Sequence, residues 1–255
     1  MVCILHYSRP VTHRPMDAFS RQFLAAQRLL VVAPHADDET ISAGGLMAKV
    51  KDAGGQVFVM VMSTGDLRHF DGSGAETKLG TRRDELRAAM DTLEVDDWEI
   101  VYEDTSLHLR LDTIPRRDLV YQIECGARLA TEKTRPTMLV LPAPSYNQDH
   151  EAVYQAGITA SRPHLADMKA FQRTVLVGDA PQLTWGGVGF RPSFYVDITG
   201  VFLDRKLKAY ACHASQVRPE PSHAGLEALR VLAEARGREI SVEAAEAFAC
   251  PRFVV

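Results

Sequence analysis

Short apolar runs rich in Val, Leu and Met alternate along this chain with stretches whose apolar residues recur at helical spacing. That alternation constrains the fold most, because parallel strands need long crossovers and a helix is the crossover that also covers a sheet face. The runs at 29–34 (LLVVAP), 56–63 (QVFVMVMS), 98–104 (WEIVYED) and 137–144 (TMLVLPAP) are predicted strands. The first is apolar at nearly every position, the pattern of a strand buried on both faces. Between the runs, 42–53 carries Leu46, Met47 and Val50 on one face and ends at Gly54-Gly55. Residues 81–93 present Leu86, Ala89, Met90 and Leu93 together. A third helix is expected over 115–130, opening on Pro115, and a fourth over 149–160. Beyond residue 172 the alternation weakens. Strands are expected at 174–179 and 193–199, helices at 204–216, 222–237 and 241–249, and a Gly-rich loop at 183–192. No Pro-, Ser- or Gly-rich linker divides the chain, so one α/β domain over 1–255 is expected, with a mostly parallel sheet and an elaborated C-terminal third. The first 25 residues fit no pattern.

Composition narrows the function classes. A chain of 255 residues buries a core without disulfides or structural metal, and 46% hydrophobic with 24% charged residues is ordinary for a globular protein. A net charge of −4 favours neither nucleic acid nor an anionic membrane as partner. No run approaches the ~18–20 apolar residues of a membrane span. The N-terminus lacks the form of a signal peptide, and Cys3, Cys125, Cys212 and Cys250 make no C-x-x-C pair. The expectation is a soluble cytoplasmic protein that meets a small-molecule substrate in water. The oligomeric state is not set by any feature of the chain.

Two polar constellations stand where such a sheet binds ligands, beyond the carboxyl ends of its strands. Pro34-His35-Ala36-Asp37-Asp38-Glu39 follows the first run and precedes a helix. One Asp there could simply cap the helix. A His, two Asp and a Glu within five residues exceed what a cap needs, and His and Asp three apart can point the same way and ligate Zn²⁺. Tyr146-Asn147-Gln148-Asp149-His150 follows the fourth run in the same manner and opens on the same sheet edge. His35, Asp38 and His150 make three protein ligands with a fourth position left for water, the pattern of a catalytic zinc site. Asp37, not itself a ligand, can take the proton of a metal-activated water as general base.

These residues resemble the PIG-L/LmbE family of zinc-dependent N-deacetylases. The likeness rests on PHADDE followed by Gly44-Gly45, with the later Asp149-His150. It continues through Arg82-x-x-Glu85, YVDIT at 195–199, Lys208 with His213-x-Ser215-Gln216, and Glu246-Ala247-Phe248, and so covers nearly the whole chain. The resemblance implies a Rossmann-like three-layer αβα sandwich. It implies zinc on His35, Asp38 and His150, Asp37 as general base, and removal of an acetyl or other acyl group from the nitrogen of a glucosamine-type sugar. The chain departs from the family at Asn147, where a His is usual that stabilises the oxyanion or supplies a proton. Asn147 can donate a neutral hydrogen bond to an oxyanion but cannot deliver a proton. Asp37 is therefore expected to return the proton to the leaving amine, with His213 as a second acid if its helix reaches the site.

Asp66 and Arg68, beyond the second strand, are candidate sugar contacts. Glu39 is expected to support the ligands. Arg82 and Glu85 are expected to pair along their helix, and Asp149 either to orient a neighbouring side chain or, more simply, to cap its own helix. His69, His108 and His164 are expected at the surface, and Trp185 and Phe190 either wall a sugar site or pack on the core. Three other readings compete with an N-acyl amino-sugar hydrolase. An amidase for a sugar–thiol conjugate would share its chemistry, and a non-catalytic sugar-binding relative would share its fold. A dinucleotide-binding protein is disfavoured, because no G-x-G-x-x-G follows the first strand.

Overall fold

The computed structural model of the chain describes residues 16–69, 74–187 and 189–255. Its strands are β1 (Arg28–Ala33), β2 (Gln56–Thr64), β3 (Leu67–Arg68), β4 (Glu76–Thr77), β5 (Asp97–Glu103), β6 (Met138–Pro142), β7 (Thr174–Gly178), β8 (Phe194–Asp197) and β9 (Ala245–Phe253). Its helices are α1 (Ala18–Ala25), α2 (Asp38–Ala53), α3 (Leu79–Leu93), α4 (Arg116–Tyr121), α5 (Thr131–Thr134), α6 (Gln148–Ala160), α7 (Val201–Cys212) and α8 (Leu226–Glu239). Seven strands form one sheet in the order β5-β2-β1-β6-β7-β9-β8, and β3 pairs with β4 in a short ribbon. Strands β5, β2, β1, β6 and β7 are parallel. Strand β9 runs antiparallel to both β7 and β8.

Helices cover both faces, which explains why β1 reads as continuously apolar. Leu29, Val31 and Ala33 face a core built with Leu46 and Met47 of α2, Leu86 and Met90 of α3, and Leu207 and Tyr210 of α7. Leu30 and Val32 face the opposite core, with Leu119 of α4 and Val153 and Ala156 of α6. The expected three-layer αβα arrangement is the observed one. No described helix is long and apolar enough to cross a membrane.

Several boundaries differ from the sequence reading. Residues 241–249 were expected as a helix from their Ala- and Glu-rich composition, but Ala245–Phe253 is a strand. The sheet has an unpaired edge at β7, and a segment that fills it buries Ala245, Ala247 and Phe248. Edge pairing and core burial outweigh helix propensity. The expected helix over 115–130 stops at Tyr121, widens into a π turn over Gln122–Gly126 and ends at an extended Ala127. Helix α1, which the periodicity missed, starts where Asp17 accepts a hydrogen bond from the Ser20 N–H.

Helix α2 carries the first constellation and is held at its middle by a buried ion pair. Glu246 of β9 accepts from the Gly45 and Leu46 N–H groups, both at 2.7 Å, and from Lys206 Nζ of α7 at 2.7 Å. Lys206 also donates to the Ile41 carbonyl at 2.8 Å. This approach needs bare backbone. A Cβ on Gly45 would lie 2.6 Å from Ile198 Cγ2 and 3.1 Å from Glu246 Cδ, and one on Gly44 would lie 3.1 Å from Lys206 Cγ. The Gly44-Gly45 pair thus has a packing reason, namely to let a carboxylate and an ammonium reach the helix backbone. Breaking a buried pair by removing one partner costs about 3–5 kcal/mol, because the other charge is left uncompensated. Lys206→Met is expected to lose stability in that range by urea denaturation. Lys206→Met/Glu246→Gln is expected to recover part of it.

Candidate metal centre and active site

The chain leaves β1 toward β2 and β5 on one side, then returns to lay β6 and β7 on the other. At such a reversal the loops leave in opposite directions and a crevice opens beyond the strand ends. Residues 34–37 follow β1 into it and 143–147 follow β6. Strands β1 and β6 are direct neighbours, with Val31 opposite Val140, so segments far apart in sequence come together.

Asp38 Oδ2 lies 3.3 Å from His35 Nδ1 and 3.2 Å from His150 Nε2. One ligand atom from each of these three residues falls within 4.8 Å of the others. Two ligands held ~2.0–2.1 Å from a tetrahedral ion stand about 3.3–3.4 Å apart, so the observed spacings suit such a site. The other nitrogen of His35, Nε2, donates to Asp149 Oδ2 at 2.9 Å, which leaves Nδ1 to face Asp38. Burial opposes charge on His35, yet its hydrogen bonds to Asp149 and Asp38 lift it up to about 9. Burial likewise opposes charge on Asp38, but His150 and His35 hold its carboxyl well below the usual range. A site with this much negative potential attracts a cation, and a metal ion competes with the proton for the same lone pair.

Of the two roles open to Asp149, it does not cap α6 but orients a neighbour. It is fully buried, and while Oδ2 accepts the hydrogen bond from His35 Nε2–H, Oδ1 accepts the Leu111 N–H at 2.9 Å. The cap is Asn147, whose Oδ1 accepts from the Asp149 N–H at 3.0 Å. A carboxylate that orients a ligating imidazole is a recurrent partner in metal sites. Its adjacency to His150 was the available signal.

Asp37 precedes α2 but makes no capping hydrogen bond, and its φ of 136° is strained for a residue with a side chain. Its N–H donates to Glu39 Oε2 at 2.9 Å, which fixes the turn. Desolvation and the charge of Asp38 push that carboxyl up to about 7, against the pull of Arg82 and His213.

Arg82 and His108 also border this site, through Ala36 and the His35 ring. Arg82 does not pair with Glu85. It is buried, donating to His108 Nε2 at 2.5 Å and to the Ala36 carbonyl at 3.3 Å. Glu85 instead accepts from the Ser215 N–H and Oγ. His108 is buried rather than at the surface and meets the His35 ring edge-on at 5.2 Å. Because Nε2 accepts from Arg82, Nδ1 carries the proton and faces Ser63 Oγ at 3.2 Å. Burial and the charge of Arg82 drive His108 down to about 3, so it stays neutral. No local sequence pattern marks a His that only tertiary packing delivers.

His213 reaches the site through another residue. It ends α7 and donates Nε2–H to Glu39 Oε1 at 2.9 Å, with both side chains buried. Burial lowers the affinity of His213 for its proton, but Glu39 more than offsets this, and the imidazole is held above its usual range. Asp66 accepts the Leu79 N–H and the Lys78 ammonium, at 2.8 and 2.9 Å, so its carboxylate is occupied at the start of α3. Arg68 is exposed on β3. Trp185 is exposed against Tyr146, ring centroids 5.3 Å apart, and Phe190 lies under Arg236.

Residues 30–161 match the PIG-L family, described as GlcNAc-PI de-N-acetylase. A diacetylchitobiose deacetylase from Thermococcus kodakarensis is 28% identical over 204 residues, which is 76% of this chain and 72% of that protein. The solved structure of the N,N'-diacetylchitobiose deacetylase from Pyrococcus horikoshii superposes with a TM-score of 0.65 at 21% identity, covering 93% of this chain and 94% of that one. A 4-carboxy-2-hydroxymuconate hydratase from Pseudomonas putida has the same fold, with a TM-score of 0.65 at 20% identity over 89% of this chain and 97% of its own. The fold therefore hosts more than one chemistry, and the site must carry the functional reading.

Calorimetric titration with Zn²⁺ is expected to show one ion per chain. His35→Ala, Asp38→Ala and His150→Ala should each remove it. Asp149→Ala should weaken it about 10–100-fold, the usual cost of losing the group that orients a ligand. Unchanged stoichiometry in the three ligand variants would place the ion elsewhere.

Proposed function

The chain belongs to the PIG-L family, and from that premise we propose that it is a metal-dependent hydrolase removing the acetyl group from the nitrogen of a glucosamine-type sugar or glycoside. One observation carries the reading: a carboxylate oxygen 3.3 and 3.2 Å from two imidazoles, beside an Asp that stands outside this cluster and makes no capping hydrogen bond. The donor set of two imidazoles and a carboxylate suits zinc. Held by His35, Asp38 and His150, that ion would lower the pKa of a water to about 7 and polarise an amide carbonyl.

The chain's own groups then do the following. Asp37 accepts a proton from the water as its oxygen bonds to the carbonyl carbon. Asn147 uses Oδ1 for its helix cap, so its amide N–H₂ is the end left to donate to the carbonyl oxygen as that atom gains charge. Asp37 returns the proton to the nitrogen as the C–N bond breaks, giving acetate and the free amine. Arg82, bound to the Ala36 carbonyl, holds the turn that presents Asp37. His213 acts through Glu39 rather than on the substrate. Arg68 is the exposed candidate for a sugar hydroxyl, whereas Asp66 shapes the loop beneath it. Free thiols at Cys125, Cys212 and Cys250 suit a reducing, cytoplasmic setting.

The test is acetate release from N-acetylglucosamine and N,N'-diacetylchitobiose. Chelation should abolish turnover and Zn²⁺ restore it. Asp37→Asn should lower kcat about 10²–10⁴-fold with zinc affinity unchanged. Asn147→Ala should lower it about 10²–10³-fold. Near-normal turnover by zinc-loaded Asp37→Asn would remove the general-base assignment.

A further inference from the structure

We infer that the loop after β7 limits the length of the acyl group, with Leu183 as the residue that sets it; this rests on the deacetylase reading above. A cavity of about 20 Å³ adjoins the candidate metal ligands on the β7 side. Asp38 and His150 line it together with the apolar Ala143 and Leu183, and Ser42 and Asp179 add polar atoms to the lining. Roughly 10–15 Å³ by this measure holds one water, so the cavity takes a single methyl-sized group.

An amide carbonyl carbon placed beside Asp38 and His150 carries two substituents, the sugar nitrogen and the acyl chain. A pyranose ring cannot enter a space of this size, so the substituent directed into it is the acyl group. Packing holds the apolar part of the lining in place. Leu183 and Ala143 are 2% and 5% exposed, and with Val177 they form a small apolar cluster of their own. Leu183 is anchored where its N–H donates to the Ala180 carbonyl at 3.2 Å, at the start of a 3₁₀ turn over Leu183–Gly186. Acetyl fits this gauge and longer chains meet Leu183.

The experiment compares kcat/KM for N-formyl, N-acetyl, N-propionyl and N-butyryl glucosamine, using zinc-loaded wild-type, Leu183→Ala and Ala143→Val proteins. One methylene too many in an apolar pocket is worth roughly 10–200-fold. The wild type should prefer acetyl to propionyl within that range. Leu183→Ala should cut the preference at least tenfold, and Ala143→Val should shift it toward formyl. A second readout is calorimetric binding of acetate, propionate and butyrate. Acetate should bind the wild type more tightly than butyrate, and Leu183→Ala should narrow the gap. Equal handling of all chain lengths by the wild type would overturn the inference, as would ratios that neither variant moves. If zinc-bound protein releases no carboxylate from any substrate, the deacetylase reading has failed, and the carboxylate series still decides the pocket.

Discussion

Two imidazoles from opposite halves of the chain share one carboxylate oxygen, and that contact exists only because the sheet reverses its direction of growth at β1. Strand β1 has β2 on one side and β6 on the other, so His35 and His150 emerge from adjacent strands. Had β6 been added beyond β5, two strands would stand between the second constellation and the first. The ligand cluster is therefore a consequence of strand order before it is a consequence of side-chain chemistry.

Bringing so many charges under the surface is unfavourable unless each is answered by a partner. His35, Glu39, Arg82, Asp149, Lys206, His213 and Glu246 are all buried, and each is engaged. Asp149 holds His35, His213 holds Glu39, Lys206 holds Glu246, and Arg82 lies on neutral His108. Helix α2 gathers most of this network. Its first turn carries Asp38 and Glu39, and its middle accepts Glu246 through the bare backbone at Gly45 and Leu46. The strained Asp37 sits just ahead of this clamped helix, where surrounding structure can maintain a backbone angle that an isolated turn would relax.

The crevice has two unlike flanks. On the β2 and β5 side, Arg82 and His108 line it with polar groups oriented by Ala36 and Ser63. On the β7 side, Ala143 and Leu183, two members of a small apolar cluster, line it together with Ser42 and Asp179.

Much of this was legible in the residues themselves. Apolar runs and helical spacing specify the parallel strands and the helices between them, because burial on two faces leaves a local signature at every position of β1. The concentration of His and Asp after the first strand also marks a site by its composition alone. Tertiary structure decided what local pattern cannot encode. It made Ala245–Phe253 a strand because β7 had an edge to fill, and it sent Arg82 to His108 instead of to Glu85. It also gave the cap to Asn147 and freed Asp149 for His35. Each of these outcomes depends on a partner distant in sequence, and the free energy of a buried polar group is set by the neighbour that satisfies it rather than by its own position in the chain.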